Sequence, residues 1–593
     1  MFSSILIANR GEIALRVIRC CREMGIKSIA VYSELDRDAL HVQAADEAYL
    51  LGPGPPAESY LNVDKLIEVI RASGAEAVHP GYGFLAENGP FAQRLADEGI
   101  VFIGPPASAI ESMGSKTSAR ELMQAAGVPI VPGTTEAVAD VEAARKIIAD
   151  GLGYPVAIKA SGGGGGKGFR VALTADDLEE AFEGASREGE KFFSDGRVYL
   201  ERYLPSPRHI EVQILADTFG NTIHLGERDC SIQRRHQKLI EEAPAADWVV
   251  DDALREKIGK IGVDAAKAVG YVGAGTIEGM LQDGNYYFLE MNTRVQVEHC
   301  VTEMVTGVDI VREGIRAAAG EPLSITQDQV QIRGHAIECR INAENAAKNF
   351  APAPGKIGRY IEPGGPGVRV DSGVGENGEV TPMYDPMVAK LIVWDVDREH
   401  ATARMLRALD EYEIEGLTTL IPFHSALMAT EQWARAEICR DLTEDKAWLK
   451  STAPEKPVER VDADGVEQLQ QQYTVEVSGR RFDVNVVGPP PVGGATGPGA
   501  PAPKPRRVER KSSAAGGADT LEAPLQGNMW KVVVKVGDQV EEGQLLCIIE
   551  AMKMENEITA HKAGTVVELP ITEGAPIGAG DPIARIVSEA PAE

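Results

Sequence analysis

The pattern of apolar and polar positions changes character several times along the chain. Near the start, the apolar run Ile5-Leu6-Ile7-Ala8 is followed by helical spacing from Glu12 to Met24, closed by Gly25, and by a second strand-like run from Ser28 to Tyr32. A strand, helix, strand order of this kind predicts a parallel sheet. Further on, Pro155 to Lys159 and Phe169 to Val171 read as strands, as do Gly275 to Leu281 and Tyr286 to Met291 on either side of Asp283-Gly284-Asn285. Residues 331–447 mix strands with a helix near Ala401 to Leu409. Tyr473 to Val487 alternates polar with apolar positions, a β segment too short to fold without a neighbour or partner to pack on.

The last stretch repeats itself. Gly537, Val540, Gly543, Leu546 and Ile549 match Gly574, Ile577, Gly580, Ile583 and Ile586 in chemical type, each pair 37 residues apart. Each half consists of short Val/Ile-rich strands broken by Gly, Asp and Pro turns, which predicts a two-fold pseudosymmetric, flattened β-barrel or sandwich. Lys553, in Glu550-Ala551-Met552-Lys553-Met554-Glu555, falls between the copies at an expected hairpin tip. A solvated turn lysine between two core methionines would look the same locally, but the repeat centred on it singles it out.

At 593 residues the chain is too long for one core and fits roughly four domains of about 150 residues. With 60 basic against 89 acidic residues the net charge is -29, which argues against a nucleic-acid or anionic-membrane partner. The cysteines are scattered, with no Cys-x-x-Cys pair, and indicate neither a disulfide framework nor a zinc site. No apolar run approaches the roughly 20 residues of a membrane span, so a cytoplasmic protein is expected. Pro, Gly and Ala dominate residues 488–520, a linker able to span roughly 30 Å as a flexible coil and up to about 100 Å if extended.

Candidate chemistry concentrates between residues 116 and 325. Ser161 opens the run Gly162 to Gly166, followed by Lys167-Gly168; backbone amides closing over an anion such as a nucleotide phosphate account for it, and a flexible linker is the alternative. It is not a Walker A loop, because Ser161 stands where the first Gly should be and Gly168 follows the lysine. If Asp283-Gly284-Asn285 forms a three-residue loop, Gln282 faces Tyr286 and Glu278 falls opposite Glu290, with Cβ atoms roughly 5 Å apart. Two carboxylates so placed suit Mg²⁺ or Mn²⁺, while a solvated acidic face or protonation of one acid satisfies the same pattern. From Glu290 every second residue is polar, namely Asn292, Arg294, Gln296 and Glu298, so extended backbone with a bend before Glu298 puts them on one side. Metal-type ligands come first, then a guanidinium and an amide suited to a small planar oxyanion such as bicarbonate, then a candidate base. The turn His79-Pro80-Gly81-Tyr82-Gly83-Phe84 is either structural or a ligand contact, and Asn9-Arg10-Gly11-Glu12 is not a dinucleotide fingerprint.

About the last 70 residues, with Ala551-Met552-Lys553-Met554, resemble the biotinyl domain of biotin-dependent carboxylases. A lipoyl domain shares that architecture; the methionine on each side of Lys553 favours biotin. The first 447 or so positions resemble biotin carboxylase, an ATP-grasp enzyme. The resemblance implies a multidomain α/β and α+β chain: a Rossmann-like N-terminal domain (1–115), an ATP-grasp domain (116–330), a C-terminal subdomain (331–447) with the family motif Tyr384-Asp385-Pro386-Met387, a small β segment (448–487), the linker (488–520) and an all-β, lipoyl-like biotinyl barrel (521–590).

By the same resemblance, Lys116, Lys159 and the glycine flap, with Gly163, Gly164, Gly165 and Gly166, hold the ATP phosphates. Glu201, Leu204, His209, Gln233 and His236 line the adenine and ribose site, and Glu278 and Glu290, helped by Asn292, hold the metal. Arg294, Gln296 and the Val297 backbone bind bicarbonate, with Glu298 as its base. Lys238 contacts carboxyphosphate, and Arg340 stabilises the enolate of biotin carried on Lys553. Cys300, after His299, departs from the family, which more often has proline there. No stretch is left for a carboxyltransferase. The architecture therefore resembles the α subunit of an acyl-CoA carboxylase of the acetyl/propionyl type, completed by a carboxyltransferase β subunit in an oligomeric holoenzyme and served transiently by a biotin protein ligase. A 2-oxo acid or urea acceptor, and a non-catalytic biotin carrier, are the competing readings.

Overall fold

The computed structural model describes residues 1–161, 168–193, 195–235, 237–453, 469–477, 480–488, 519–523, 527–551, 554–578 and 580–587. Gly163 to Gly166, His236 and Lys553 therefore lie outside the described residues.

The N-terminal region contains five parallel strands, β1 (Ser4–Ile7), β2 (Lys27–Ser33), β3 (Glu47–Gly52), β4 (Ala77–His79) and β5 (Val101–Phe102), in the order β3-β2-β1-β4-β5. The helix Gly11–Glu23 buries Ile13, Ala14, Val17 and Ile18, the positions its periodicity sets aside for the core. Strand order reverses between β1 and β4, where doubly wound sheets form their ligand crevice. There the Asn9 side-chain amide donates to the carbonyls of Pro80 (2.7 Å) and Tyr82 (2.8 Å), tying together the two turns picked out from the sequence.

Strands β6 (Val156–Ala160), β7 (Phe169–Ala172) and β8 (Val198–Arg202) form an antiparallel sheet in the order β7-β6-β8. The strands on either side of the glycine run are thus paired, with Lys159 opposite Phe169, as a hairpin requires.

The largest sheet has eight antiparallel strands. Its members β9 (Arg208–Ala216), β10 (Thr222–Arg234), β11 (Gln237–Ala243), β12 (Gly273–Gln282), β13 (Asn285–Asn292) and β14 (His335–Asn342) run in the order β13-β12-β9-β10-β11-β14, followed by Met387–Asp395 and Val368–Ser372. Because β11 pairs with β14, the sheet continues across the boundary expected at residue 330. The helix Arg398–Glu411 packs Met405 and Leu409 into the core beneath its far end. Leu469–Val477 and Arg480–Gly488 pair as an antiparallel hairpin.

The C-terminal region consists of two four-stranded sheets. In one, Met554–Thr559, Leu545–Ala551, Gly527–Val532 and Pro576–Ile577 lie side by side; in the other, Thr520–Glu522, Pro582–Val587, Gly564–Glu568 and Gln539–Val540 do so. A shift of 37 residues exchanges the sheets, and the hydrogen bonds follow. Gly543 N bonds Ala560 O at 2.9 Å and Gly580 N bonds Ala523 O at 2.8 Å, while Gly537 N bonds Val566 O at 2.8 Å and Gly574 N bonds Met529 O at 2.7 Å. All four glycines have positive φ, 101° and 80° for one equivalent pair and 86° and 88° for the other, which explains why both copies keep glycine there. Leu546, Ile549, Ile583 and Ile586 are fully buried, each stabilising the fold by about 1.5–3 kcal/mol. The pairing Ala551↔Met554 ends the ladder that flanks Lys553.

All seven cysteines are free and buried. No helix among the described residues is long and apolar enough to cross a membrane.

Candidate active site

Strands β12 and β13 are joined by a two-residue turn. The expected three-residue loop is incorrect: Asp283 and Gly284 both have positive φ (51° and 73°), the geometry an Asp-Gly pair adopts in tight hairpins, so Gln282 faces Asn285 instead of Tyr286. The register then shifts by one residue between Gly279↔Phe288 and Glu278↔Glu290, leaving Leu289 as a bulge. Turn and bulge offset each other, and Glu278 does lie opposite Glu290.

The row extends further than the sequence indicated. Glu211 on β9 faces Glu278, and Arg228 on β10 faces Glu211, so Glu290, Glu278, Glu211 and Arg228 form a line across four strands. The Lys238 ammonium joins this row, 2.5 Å from Glu211 Oε2, 3.0 Å from Glu278 Oε1 and 2.7 Å from Glu298 Oε1. His209 Nε2 lies 2.7 Å from the other oxygen of Glu278, and the amides of Asn292 and Gln296 donate to Glu278 Oε1. Burial by itself would raise the Glu278 carboxyl, but Lys238 and His209 hold it well below the usual range. Glu290 takes no hydrogen bond from a described side chain; burial and the charge of Glu278 push its carboxyl up. A half-buried carboxylate destabilised in this way is relieved by a divalent cation, so the donor set fits a hard metal with oxygen ligands.

β13 ends at Asn292, so the expected extended run through Gln296 is not a strand. Thr293 N–H donates to Glu87 in the N-terminal region (3.0 Å) instead of to a neighbouring strand, and the chain winds irregularly into the helix His299–Thr306, with Glu298 at its N-cap. Glu290, Asn292, Arg294, Gln296 and Glu298 nevertheless all line one cleft of 820 Å³, together with Lys116, Lys159, Leu204, His209, Gln233, Lys238, Glu278, Val297 and Arg340. Arg340 Nη2 is 2.9 Å from Glu298 Oε2 and also pairs with Glu241. Burial would raise the Glu298 carboxyl; Lys238, Arg340 and Arg228 overcome it and keep the group ionised. Arg294 is held by Glu87 at 2.9 Å.

Glu201, expected at the adenine and ribose site, is buried with its carboxylate against Arg120 and Lys159, and it positions the lysine that lines the cleft. At the other end, a second cavity shares Gln237, Arg294, Val297 and Arg340 with the first and is lined further by Tyr82, Tyr384 and Met387. Behind Glu298, the buried Lys390 ammonium donates to Val297 O (2.8 Å) and lies 3.0 Å from Cys300 Sγ, while the Cys300 thiol reaches Asp371 at 3.2 Å. Glu87, Glu211, Arg228, Glu241 and Lys390 were not identified from the sequence. A carboxylate at i, i+2 from an amide, as in Glu211 and Gln213, was the available signal, but it is too common in strands to be selective.

Four family models match the chain: "Biotin carboxylase, N-terminal domain" over 1–110, "Carbamoyl-phosphate synthase L chain, ATP binding domain" over 115–326, "Biotin carboxylase C-terminal domain" over 338–445 and "Biotin-requiring enzyme" over 519–586. A pyruvate carboxylase subunit of Methanothermobacter thermautotrophicus is 53% identical over 473 residues, covering 80% of this chain and 96% of that protein. The biotin-dependent acyl-coenzyme A carboxylase alpha3 subunit of Mycobacterium leprae is 43% identical over 608 aligned positions, 98% of each chain. Among solved structures, the biotin carboxylase domain dimer of Hydrogenobacter thermophilus 2-oxoglutarate carboxylase, in complex with MgADP, ADP and bicarbonate, superposes with a TM-score of 0.71 at 49% identity, covering 74% of this chain and 98% of that one. Strand rows, cleft and domain order converge on one conclusion: the chain belongs to the biotin-dependent carboxylase family, as an ATP-dependent biotin carboxylase joined to a biotinyl domain.

Proposed function

We propose that this chain uses ATP and bicarbonate to carboxylate biotin attached to Lys553, and that a separate carboxyltransferase β subunit passes the carboxyl group to an acyl-CoA. The observation that carries the first half is Glu298, an ionised carboxylate lodged between Lys238 and Arg340. In this reading Arg294, Gln296 and the Val297 backbone hold bicarbonate, and Glu298 takes its proton. Glu298 becomes a stronger base as the incoming anion draws the two cations away from it. The deprotonated oxygen attacks the γ-phosphate, giving carboxyphosphate and ADP, while Lys116, Lys159, Lys238 and the amides of Gly163 to Gly166 hold the charge on the transferring group. Leu204, His209, Gln233 and His236 hold the adenine and ribose. Glu278, Glu290 and Asn292 would hold Mg²⁺ or Mn²⁺, which when bound neutralises phosphate charge. Biotin, when attached to Lys553, would supply the ring nitrogen that accepts the carboxyl group from carboxyphosphate, with phosphate leaving and taking up the proton of that nitrogen. Arg340, shared by both cavities, orients that ring.

Bicarbonate-dependent ATP hydrolysis, assayed with free biotin, tests this half: Glu298→Gln should lower turnover by on the order of 100-fold or more with ATP affinity changed less than about 3-fold. Unchanged turnover removes Glu298 as base. The acyl-CoA acceptor is supported by the whole-length similarity to the M. leprae protein. A 2-oxo acid acceptor is the second reading, favoured by the similarity to a pyruvate carboxylase component. Purifying the chain with its partner from the native cell and assaying carboxylation of acyl-CoAs against pyruvate decides between them.

A further inference from the structure

We infer that Arg228 is a positioning residue that sets the anion-binding end of the cleft by holding Gln296 and Lys238 in register. This rests on the reading of those two as anion-binding groups. Arg228 has no exposed surface and does not line the cleft. Its five N–H groups each have an acceptor. Nε donates to Glu211; Nη1 donates to Gln213 Oε1 (2.7 Å) and Thr302 Oγ1 (2.9 Å); Nη2 donates to Gln296 Oε1 (2.8 Å) and Thr276 Oγ1 (3.4 Å).

Two consequences follow from this geometry. A guanidinium has no acceptor atom, so the oxygen of the Gln296 amide must be the end that faces it, and Nε2 is left pointing at Glu278 and the cleft, a donor aimed where an anion would sit. Glu211 is the second arm: one oxygen accepts from Arg228, which leaves the other for Lys238 Nζ at 2.5 Å. One buried cation therefore fixes both the amide orientation and the anchor of the ammonium. Lysine has three donors on a single point and cannot replace a planar fork that reaches five acceptors on two strands, a loop and a helix.

The test compares half-saturating bicarbonate with half-saturating ATP in bicarbonate-dependent ATP hydrolysis. Arg228→Lys should raise the bicarbonate value at least about 10-fold while the ATP value moves less than about 3-fold. Thr302→Val, which removes one acceptor from the helix side, should shift it in the same direction by about 2- to 4-fold, and it decides the matter if Arg228→Lys does not fold. Wild-type bicarbonate saturation in the folded variants, or equal shifts for bicarbonate and ATP, overturns the inference. Gln296→Ala is measured in parallel: if it leaves bicarbonate saturation unchanged, the reading of Gln296 as an anion ligand fails; if it raises the value while the Arg228 and Thr302 variants do not, only the positioning role fails.

Discussion

Lys238 Nζ lies 2.7 Å from Glu298 Oε1 while also contacting Glu211 and Glu278, so a single ammonium serves three buried carboxylates. Its own proton is held far above the usual range: burial opposes the charge, but the three carboxylates prevail. Removing it with Lys238→Met lets burial act on Glu298 with less opposition, so the proton affinity of Glu298 rises. Because Glu298 must be ionised to act as base, the acid limb of the pH profile of kcat/KM should move to higher pH, and turnover should fall on the order of 100-fold. A variant whose acid limb stays in place would show that Lys238 does not govern Glu298.

Glu290 and Glu278 face each other across β12 and β13 with no described side-chain donor on Glu290. Glu290→Gln should raise half-saturating Mg²⁺ by about 10-fold, since a carboxylate ligand is replaced by a neutral one. Titrating Mg²⁺ at fixed ATP measures this, and an unchanged titration removes Glu290 from the metal site.

Glu242 ties β11 to β14 and to the helix Arg398–Glu411, accepting from Arg398 Nε at 2.6 Å and lying 2.9 Å from His335 Nε2. Burial would raise this carboxyl, but Arg398 and His335 draw it down from 4.5 to about 2. With the folded value below the unfolded one, its contribution is complete above the unfolded value and is lost as pH falls from about 4.5 toward 2. The contribution is on the order of 3 kcal/mol. Thermal unfolding of Glu242→Gln should show a deficit against wild type at pH 7 that shrinks as the pH is lowered through this window; a constant deficit contradicts the assignment.

Lys553→Arg should abolish avidin binding while leaving bicarbonate-dependent ATP hydrolysis with free biotin intact. Retained avidin binding would place biotin on another residue.

Local pattern was enough for the N-terminal strand, helix, strand unit, for the pseudosymmetric C-terminal region and for the pairing of Glu278 with Glu290. The last of these was reached through a loop one residue too long. An unseen bulge at Leu289 cancelled the difference, because a bulge leaves no period in the sequence and is set by packing against the neighbouring strand. The alternation from Glu290 to Glu298 correctly grouped five cleft residues, although β13 stops at Asn292. Their convergence comes from Glu87 holding the backbone of Thr293 and from the helix that begins at His299.

By itself, the order of residues determined the strand, helix, strand start of the chain, the strand pairs flanking the glycine run and Asp283-Gly284, the turn glycines shared by both copies of the C-terminal repeat, and which polar groups are close enough along the chain to act together. Those are short-range properties, fixed by side-chain volume and backbone sterics within a few residues. Only the tertiary structure decided that Arg228, Glu211 and Lys390 stand behind the cleft, that Glu201 supports Lys159 from a buried position, and that one sheet joins the middle region to the next. Strands distant in sequence bring these charges together, and burial makes each depend on partners that no local spacing records.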